Sequence, residues 1–362
     1  MKPLNAMVSA VEQKLRAWWD HQDQETPCLL LTSPADDPQP VPDTDDLDRY
    51  WFDVDEGLKR AMALIENRRY YGVALPYHWP DWGASTFAGV LGSRMEMVRK
   101  ETFWAHPCCQ RLEEVLDIDI VPQSRFYRTV MEMTRRSVAM SRDHHFVAVY
   151  PIVGVADILA GLYGTEPLLM AMAEQPLAVK AAMAHVKDLW LREFHAVQTL
   201  IDSAGNPGCM NWMAIWAPGR SCATQEDISY MISNEMFRQF CLPPLVELID
   251  SLDYAMYHLD GGGALTHLDT LLEIPNLRAI QWVPGSGHED VPQWYDLIRY
   301  ILSRGKSVEV FAKVEEVDDL VKNVGTRGLL ICAYDESADG ILTFDVPADE
   351  AARLLEKYPQ DA

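Results

Sequence analysis

His258 and Asp260 stand two residues apart at the end of an apolar run, Ala255-Met256-Tyr257-His258-Leu259-Asp260, and a glycine triplet, Gly261-Gly262-Gly263, follows at once. In an extended strand, residues i and i+2 point to the same face, so the imidazole and the carboxylate are expected to converge on one site at the strand's end. Such a pair serves either as cation ligands or as partners in proton transfer. Cys332 sits near the end of a second apolar run, Leu329-Leu330-Ile331-Cys332-Ala333. With it, His258, Asp260 and Cys332 have the donor types of a catalytic zinc site, which holds three protein ligands and keeps a fourth position open. The competing reading of Cys332 is a small buried hydrophobe.

Other residues are placed around this pair. Tyr77-His78-Trp79-Pro80-Asp81-Trp82 follows an early apolar segment, and His78 and Trp79 are expected to wall a substrate pocket. Trp212, Trp216 and Trp282 sit at or just past later strand-like runs and would add an aromatic mouth, with Arg220 as the anchor for an anionic group. Asp227 reads as a site carboxylate or as a capping aspartate at a helix start. A second triplet, His267-Leu268-Asp269, falls in helical sequence, where i and i+2 diverge, and reads as part of a surface helix. His144-His145 precedes a strand and is given a structural role. Cys108-Cys109 is too tightly spaced for a C-x-x-C motif.

The elements that must position these residues alternate between strand and helix. Residues 1–26 form a helical extension with apolar residues at helical spacing through Trp18 and Trp19. Residues 27–362 form one domain, beginning with the strand Leu29–Pro34. A Pro/Asp-rich loop and a helix from about Asp53 to Asn67 follow. Later strands are expected at Tyr71–Pro76, Phe146–Tyr150, Cys209–Ile215, Ala255–Leu259, Ala279–Val283, Val308–Phe311 and Leu329–Ala333, with helical sequence between them. Eight strand–helix units in one chain of 362 residues is the arithmetic of a (β/α)8 TIM barrel. No G-x-G-x-x-G or P-loop pattern opens a helix, which disfavours a doubly wound sheet.

Composition narrows the partners. With 54 acidic against 31 basic residues, the formal net charge is −23. Such a surface repels nucleic acid and anionic membranes, leaving a small molecule as the expected ligand. Seven scattered cysteines and an N-terminus without a basic start and apolar core point to a cytoplasmic protein with reduced thiols.

The segment Asp227-Ile228-Ser229-Tyr230-Met231-Ile232-Ser233-Asn234-Glu235-Met236-Phe237, followed by Phe240, Leu242 and Pro243, resembles the D-x-x-x-x-I-S-P-x-x-F…P segment of the uroporphyrinogen decarboxylase superfamily, with Asn234 in place of proline. His258-Leu259-Asp260-Gly261 is similar to that family's H-x-C-G motif. The superfamily includes corrinoid-linked methyltransferases, and the resemblance implies a TIM barrel. In the methyltransferase branch it implies a zinc held by the H-x-C pair and a later cysteine. Carried over, His258 and Cys332 match ligand positions, while Asp260 stands where the family has cysteine. A hard oxygen for a soft sulfur leaves zinc a stronger Lewis acid and a bound thiolate less nucleophilic. The arginine-rich first strand of true uroporphyrinogen decarboxylases has no counterpart in the apolar Leu29–Pro34 segment, so that activity is not expected. No corrinoid-binding signature is present, so any corrinoid would arrive on a partner protein.

The expected function is therefore zinc-dependent methyl transfer to or from a metal-activated thiol or hydroxyl. A metal-free decarboxylase or lyase using His258 with Asp260 or Asp227 is the alternative. A barrel that binds a ligand without catalysis is the third reading.

Overall fold

The computed structural model describes residues 2–285, 287–288, 290–335 and 345–360. Ten short strands matter for the site: β1 (Cys28–Pro34), β2 (Arg68–Gly72), β3 (Tyr77–His78), β4 (Phe146–Val147), β5 (Cys209–Met210), β6 (Ser221–Thr224), β7 (Tyr254–Asp260), β8 (Leu277–Val283), β9 (Ser307–Lys313) and β10 (Leu329–Tyr334). Seven of them form one sheet in the order β2-β1-β10-β9-β8-β7-β6. Every neighbouring pair in it is parallel except β1–β2. This is an α/β fold with a mostly parallel sheet. The parallel pair β3–β4 stands beside it. The Val73 amide donates to the Leu29 carbonyl (2.8 Å), so the chain entering β3 runs against β1. Beyond β5, Asn211 Nδ2 donates to Ser221 Oγ (3.3 Å) and Trp212 Nε1 to the Ala223 carbonyl (2.8 Å), tying that segment to β6. The strand ladder does not close into a ring among the described residues.

Two expected strands are corrected. The Tyr71–Pro76 run splits: residues 68–72 turn back antiparallel on β1, and the segment pairing with β4 begins only at Tyr77. The run from Cys209 to Ile215 is likewise not one strand. It folds back at Trp216–Ala217 as a tight antiparallel hairpin, and Ser221–Thr224 is the strand that pairs with β7. Gly72 sits at φ 61°, with no room for a Cβ against the Leu29 carbonyl, which marks the first break.

Strand alternation sorts the core into two clusters. Leu29, Leu31, Ala255, Tyr257, Leu259, Ile280, Trp282, Val308, Val310, Leu329 and Ile331 pack outward on the helices. Cys28, Leu30, Met256, Ala279, Leu330 and Cys332 occupy the opposite, inner face, together with Val73, Leu75, Phe146, Met210 and Met213. The N-terminal helix Leu4–Trp19 joins the inner cluster and covers the strands' N-terminal ends. Trp19 Nε1 donates to the Trp216 carbonyl (2.9 Å), its ring meets Tyr254 at the start of β7 edge-on (5.5 Å), and Ser307 Oγ at the start of β9 donates to the Trp18 carbonyl (2.5 Å). The helix is amphipathic, and its buried stripe (Leu4, Val8, Val11, Leu15, Trp18, Trp19) follows the 3.6-residue period.

Removing the cap has a defined cost. Trp19 is 1% exposed, so Trp19→Ala leaves a large cavity and an orphaned carbonyl. Unfolding in urea is expected to show a loss of about 3–5 kcal/mol. A loss below about 1 kcal/mol would mean the helix is an appendage rather than a floor.

Candidate active site

β7 carries Met256, His258 and Asp260 on its inner face, and the next strands carry Gln281 and Glu309 at the same level, since His258 pairs in register with Gln281 and Gln281 with Glu309. His258 Nδ1 and Gln281 Oε1 are in hydrogen-bond contact. With the amide oxygen of Gln281 as the atom in contact, which only accepts, a neutral imidazole carries its hydrogen on Nδ1 and leaves Nε2 as the acceptor. The imidazole is half-buried, with its edge against Trp212 (5.3 Å, 69°), and Trp212 stacks on Trp79 (5.3 Å, 24°). Both indoles are pinned through their N–H groups, Trp79 to the Val149 carbonyl (3.1 Å) and Trp212 to that of Ala223 (2.8 Å).

Asp227 opens the short helical turn after β6, and Gln225 Nε2 donates to its Oδ2 (2.8 Å). Its tip reaches solvent, yet its recessed surroundings strip enough water to raise its pKa; the His258 imidazole draws it back down, and Asp260 pushes it up. His258, Asp227 and Asp260 are thus within electrostatic reach of one another. Asp260 is exposed at the rim, where the chain turns at Gly261 (φ 77°), a left-handed conformation that suits glycine.

Cys332 is on the inner face but three strands from His258 in the sheet order. Its thiol donates to Glu309 Oε1 (3.2 Å), and burial, with the neighbouring Glu309, pushes its pKa well up. A zinc ligand must be a thiolate. Among the described residues no three His, Cys, Asp or Glu side chains gather closely enough to hold a metal ion. The expected set His258, Asp260, Cys332 does not fit zinc in this arrangement: the thiol serves Glu309, and Asp260 faces solvent.

Of the expected pocket residues, the structure sets Trp212 against His258 and Trp79 against Trp212, and leaves the others elsewhere. His78 alternates outward, where its Nδ1 meets Ser137 Oγ (2.8 Å) on the helix Arg125–Ser141, and burial pushes its pKa down to about 4. Trp282, one residue past Gln281, faces the helices and meets Trp294 edge-on (5.0 Å). Trp216, in the arm that folds back on β5, and Arg220 both come just before β6, so both lie at the capped end. Trp216 Nε1 donates to the Pro207 carbonyl (2.8 Å), and Arg220 pairs with Asp253 (3.7 Å) just before β7. The early hairpin moved them there. His267, expected on a surface helix, is buried; its Nε2 meets the Ser229 carbonyl (2.9 Å) and its ring stacks on Phe237 (4.5 Å).

Gln281 and Glu309 were missed. Glu309 is fully buried, and burial lifts its pKa to about 8, opposed by the Cys332 thiol and the Gln281 amide. Its Oε2 and Gln281 Nε2 have no hydrogen-bond partner among the described residues. Each is the polar residue of an apolar run, Ala279-Ile280-Gln281-Trp282-Val283 and Val308-Glu309-Val310-Phe311-Ala312. A carboxyl group with no exposure and no charged partner costs stability, and such groups concentrate at functional sites.

No protein-family profile matches the chain, and no curated protein sequence matches it either. Among solved structures, the fold is similar to that of a methyltransferase from Methanosarcina mazei, with a TM-score of 0.60 over 98% of this chain and 98% of that one, at 12% sequence identity. At that identity the likeness is one of fold.

Proposed function

We propose that the chain is a (β/α)8-barrel enzyme that transfers a methyl group to a thiol or hydroxyl, with His258 as the base that takes the acceptor's proton. The observation that carries this reading is the contact of His258 Nδ1 with the Gln281 amide: with the amide oxygen facing the ring, Nε2 is the nitrogen left to accept a proton, near Trp212 and two carboxylates. The barrel is supported by the β3–β4 pair and by the Val73–Leu29 and Asn211–Ser221 bonds, which continue the sheet toward closure. The whole-length fold likeness to a methyltransferase supports the reaction class. Among the described residues the zinc donor set does not gather, so the proton is assigned to the imidazole itself.

The step balances without a metal. The acceptor's S–H or O–H bond breaks, its proton passes to His258 Nε2, and the freed electron pair forms the bond to the methyl carbon. The donor leaves with the electrons of its old methyl bond. A corrinoid delivered by a partner protein would be a donor of that kind, since its cobalt could keep the pair. Asp227, drawn to the imidazole, favours the imidazolium that forms.

Methylcobalamin with a panel of small thiols and alcohols tests the proposal, read as the absorbance change on loss of the cobalt–carbon bond under anaerobic conditions. Demethylation above the protein-free rate, dependent on His258, is the expected outcome. No acceleration with any acceptor counts against it. The raised pKa of Asp227 next to an imidazole also favours a second reading, metal-free decarboxylation with Asp227 as the acid; CO2 release from carboxylated substrates without methyl transfer would select it.

A further inference from the structure

Two rim loops, one after β4 and one after β6, are joined by carboxylates that cross in both directions. Glu226 accepts from the backbone amides of Val155 (3.0 Å) and Ala156 (2.9 Å), one to each oxygen, at the start of the helix Val155–Tyr163. Asp157, in the first turn of that helix, accepts in return from the amides of Asp227 (2.8 Å, Oδ2) and Ile228 (2.8 Å, Oδ1). The loops touch so closely that a Cβ on Gly154 would lie 2.1 Å from the Gln225 carbonyl oxygen. Glu226 is 1% exposed. Burying the Glu226 carboxyl beside a second carboxyl group is costly, and a lone capping serine would satisfy one helix end more cheaply. A carboxylate, unlike an amide, offers two acceptors to two adjacent N–H groups.

We propose that Asp157 and Glu226 are positioning residues that staple these loops together and thereby hold the Asp227 carboxylate toward His258. Asp157 holds the backbone of Asp227 itself, and Gln225 holds its side chain. The importance of Asp227 for turnover rests on the function proposed above; its placement does not.

The experiment uses the imidazole nitrogen resonances of His258 in the histidine-labelled protein, assigned by their loss in His258→Gln, with no substrate present. Asp227→Asn sets the full effect of removing the charge. Asp157→Asn, which turns an NH2 group toward one backbone amide, is expected to move the His258 resonances in the same direction by at least half as much. Resonances at wild-type positions in Asp157→Asn, or unmoved in Asp227→Asn, overturn the proposal. Should Asp157→Asn fail to fold, Glu226→Gln makes the same comparison. In the unaltered protein the Asp227 and Ile228 amides are expected to exchange with solvent as slowly as the strand amides of β7; exchange at the rate of an open loop overturns the staple without any variant. If methyl transfer is established, Asp157→Asn lowers kcat about tenfold with KM held. A protein without methyl transfer that shows the resonance shifts retains the staple and loses only the reaction.

Discussion

Replacing His258 by glutamine is expected to slow methyl transfer by about 10²–10⁴-fold while leaving the fold intact, the range associated with loss of a general base. Glutamine reaches a similar distance and keeps an amide to meet Gln281, but offers no basic nitrogen to the acceptor. The loss should fall on kcat, because the proton moves only as the methyl carbon is attacked. Supplying the acceptor as its preformed thiolate at high pH should restore part of the rate. That restoration separates a missing base from a distorted pocket. Equal rates for His258→Gln and the unaltered protein would remove the imidazole from the chemistry.

The second large effect is on stability and comes from Glu309. Its folded pKa of about 8 lies above the ordinary unfolded value of about 4.3. A carboxyl group with a raised folded pKa holds its proton more tightly in the native state, so native stability falls as pH rises from about 4.3 to about 8. Across that window this one group costs up to roughly 5 kcal/mol. Glu309→Gln keeps the shape and removes the titration, so it should be the more stable protein at pH about 9 and differ little near pH about 5. Asp157, lifted to about 7 by burial and by Asp227, titrates in the same direction, so the variant's slope is reduced and not abolished. Urea unfolding of both proteins at the two pH values reads the difference. Parallel pH dependence would mean that Glu309 is ionised or hydrated in the native state.

A fully buried carboxyl group that destabilises the native state needs another reason to be present. Glu309 lies behind Gln281, and the Gln281 amide meets His258 Nδ1. The three residues lie across adjacent strands as one polar row, with Cys332 packed against its inner end. The cysteine expected as a metal ligand, from its place late in an apolar run and from the family resemblance, is a neutral donor in that row.

Much of the framework follows from short-range pattern alone. Short apolar runs separated by helical sequence specify a parallel α/β sheet, because such strands must be covered by helices. The amphipathic stripe ending in Trp18-Trp19 specified the first helix, and the two-residue period placed His258 and Asp260 on one face of β7. Local rules reach that far because they depend on neighbours within a turn or a pleat. They failed where the register between strands decides. Whether Trp282 or Gln281 faces inward depends on the pairing of β8 with β7 and β9, which no local pattern encodes when both residues lie in an apolar run. Trp216 and Arg220 fell at the capped end because an antiparallel turn displaced the strand by more than ten residues. Only the assembled sheet could show that Glu309, Gln281 and His258, far apart in the chain, stand side by side, and that Asp157 reaches across to hold Asp227. Contacts between distant segments are set by packing and burial over the whole domain, and these decided which polar residues share the inner face.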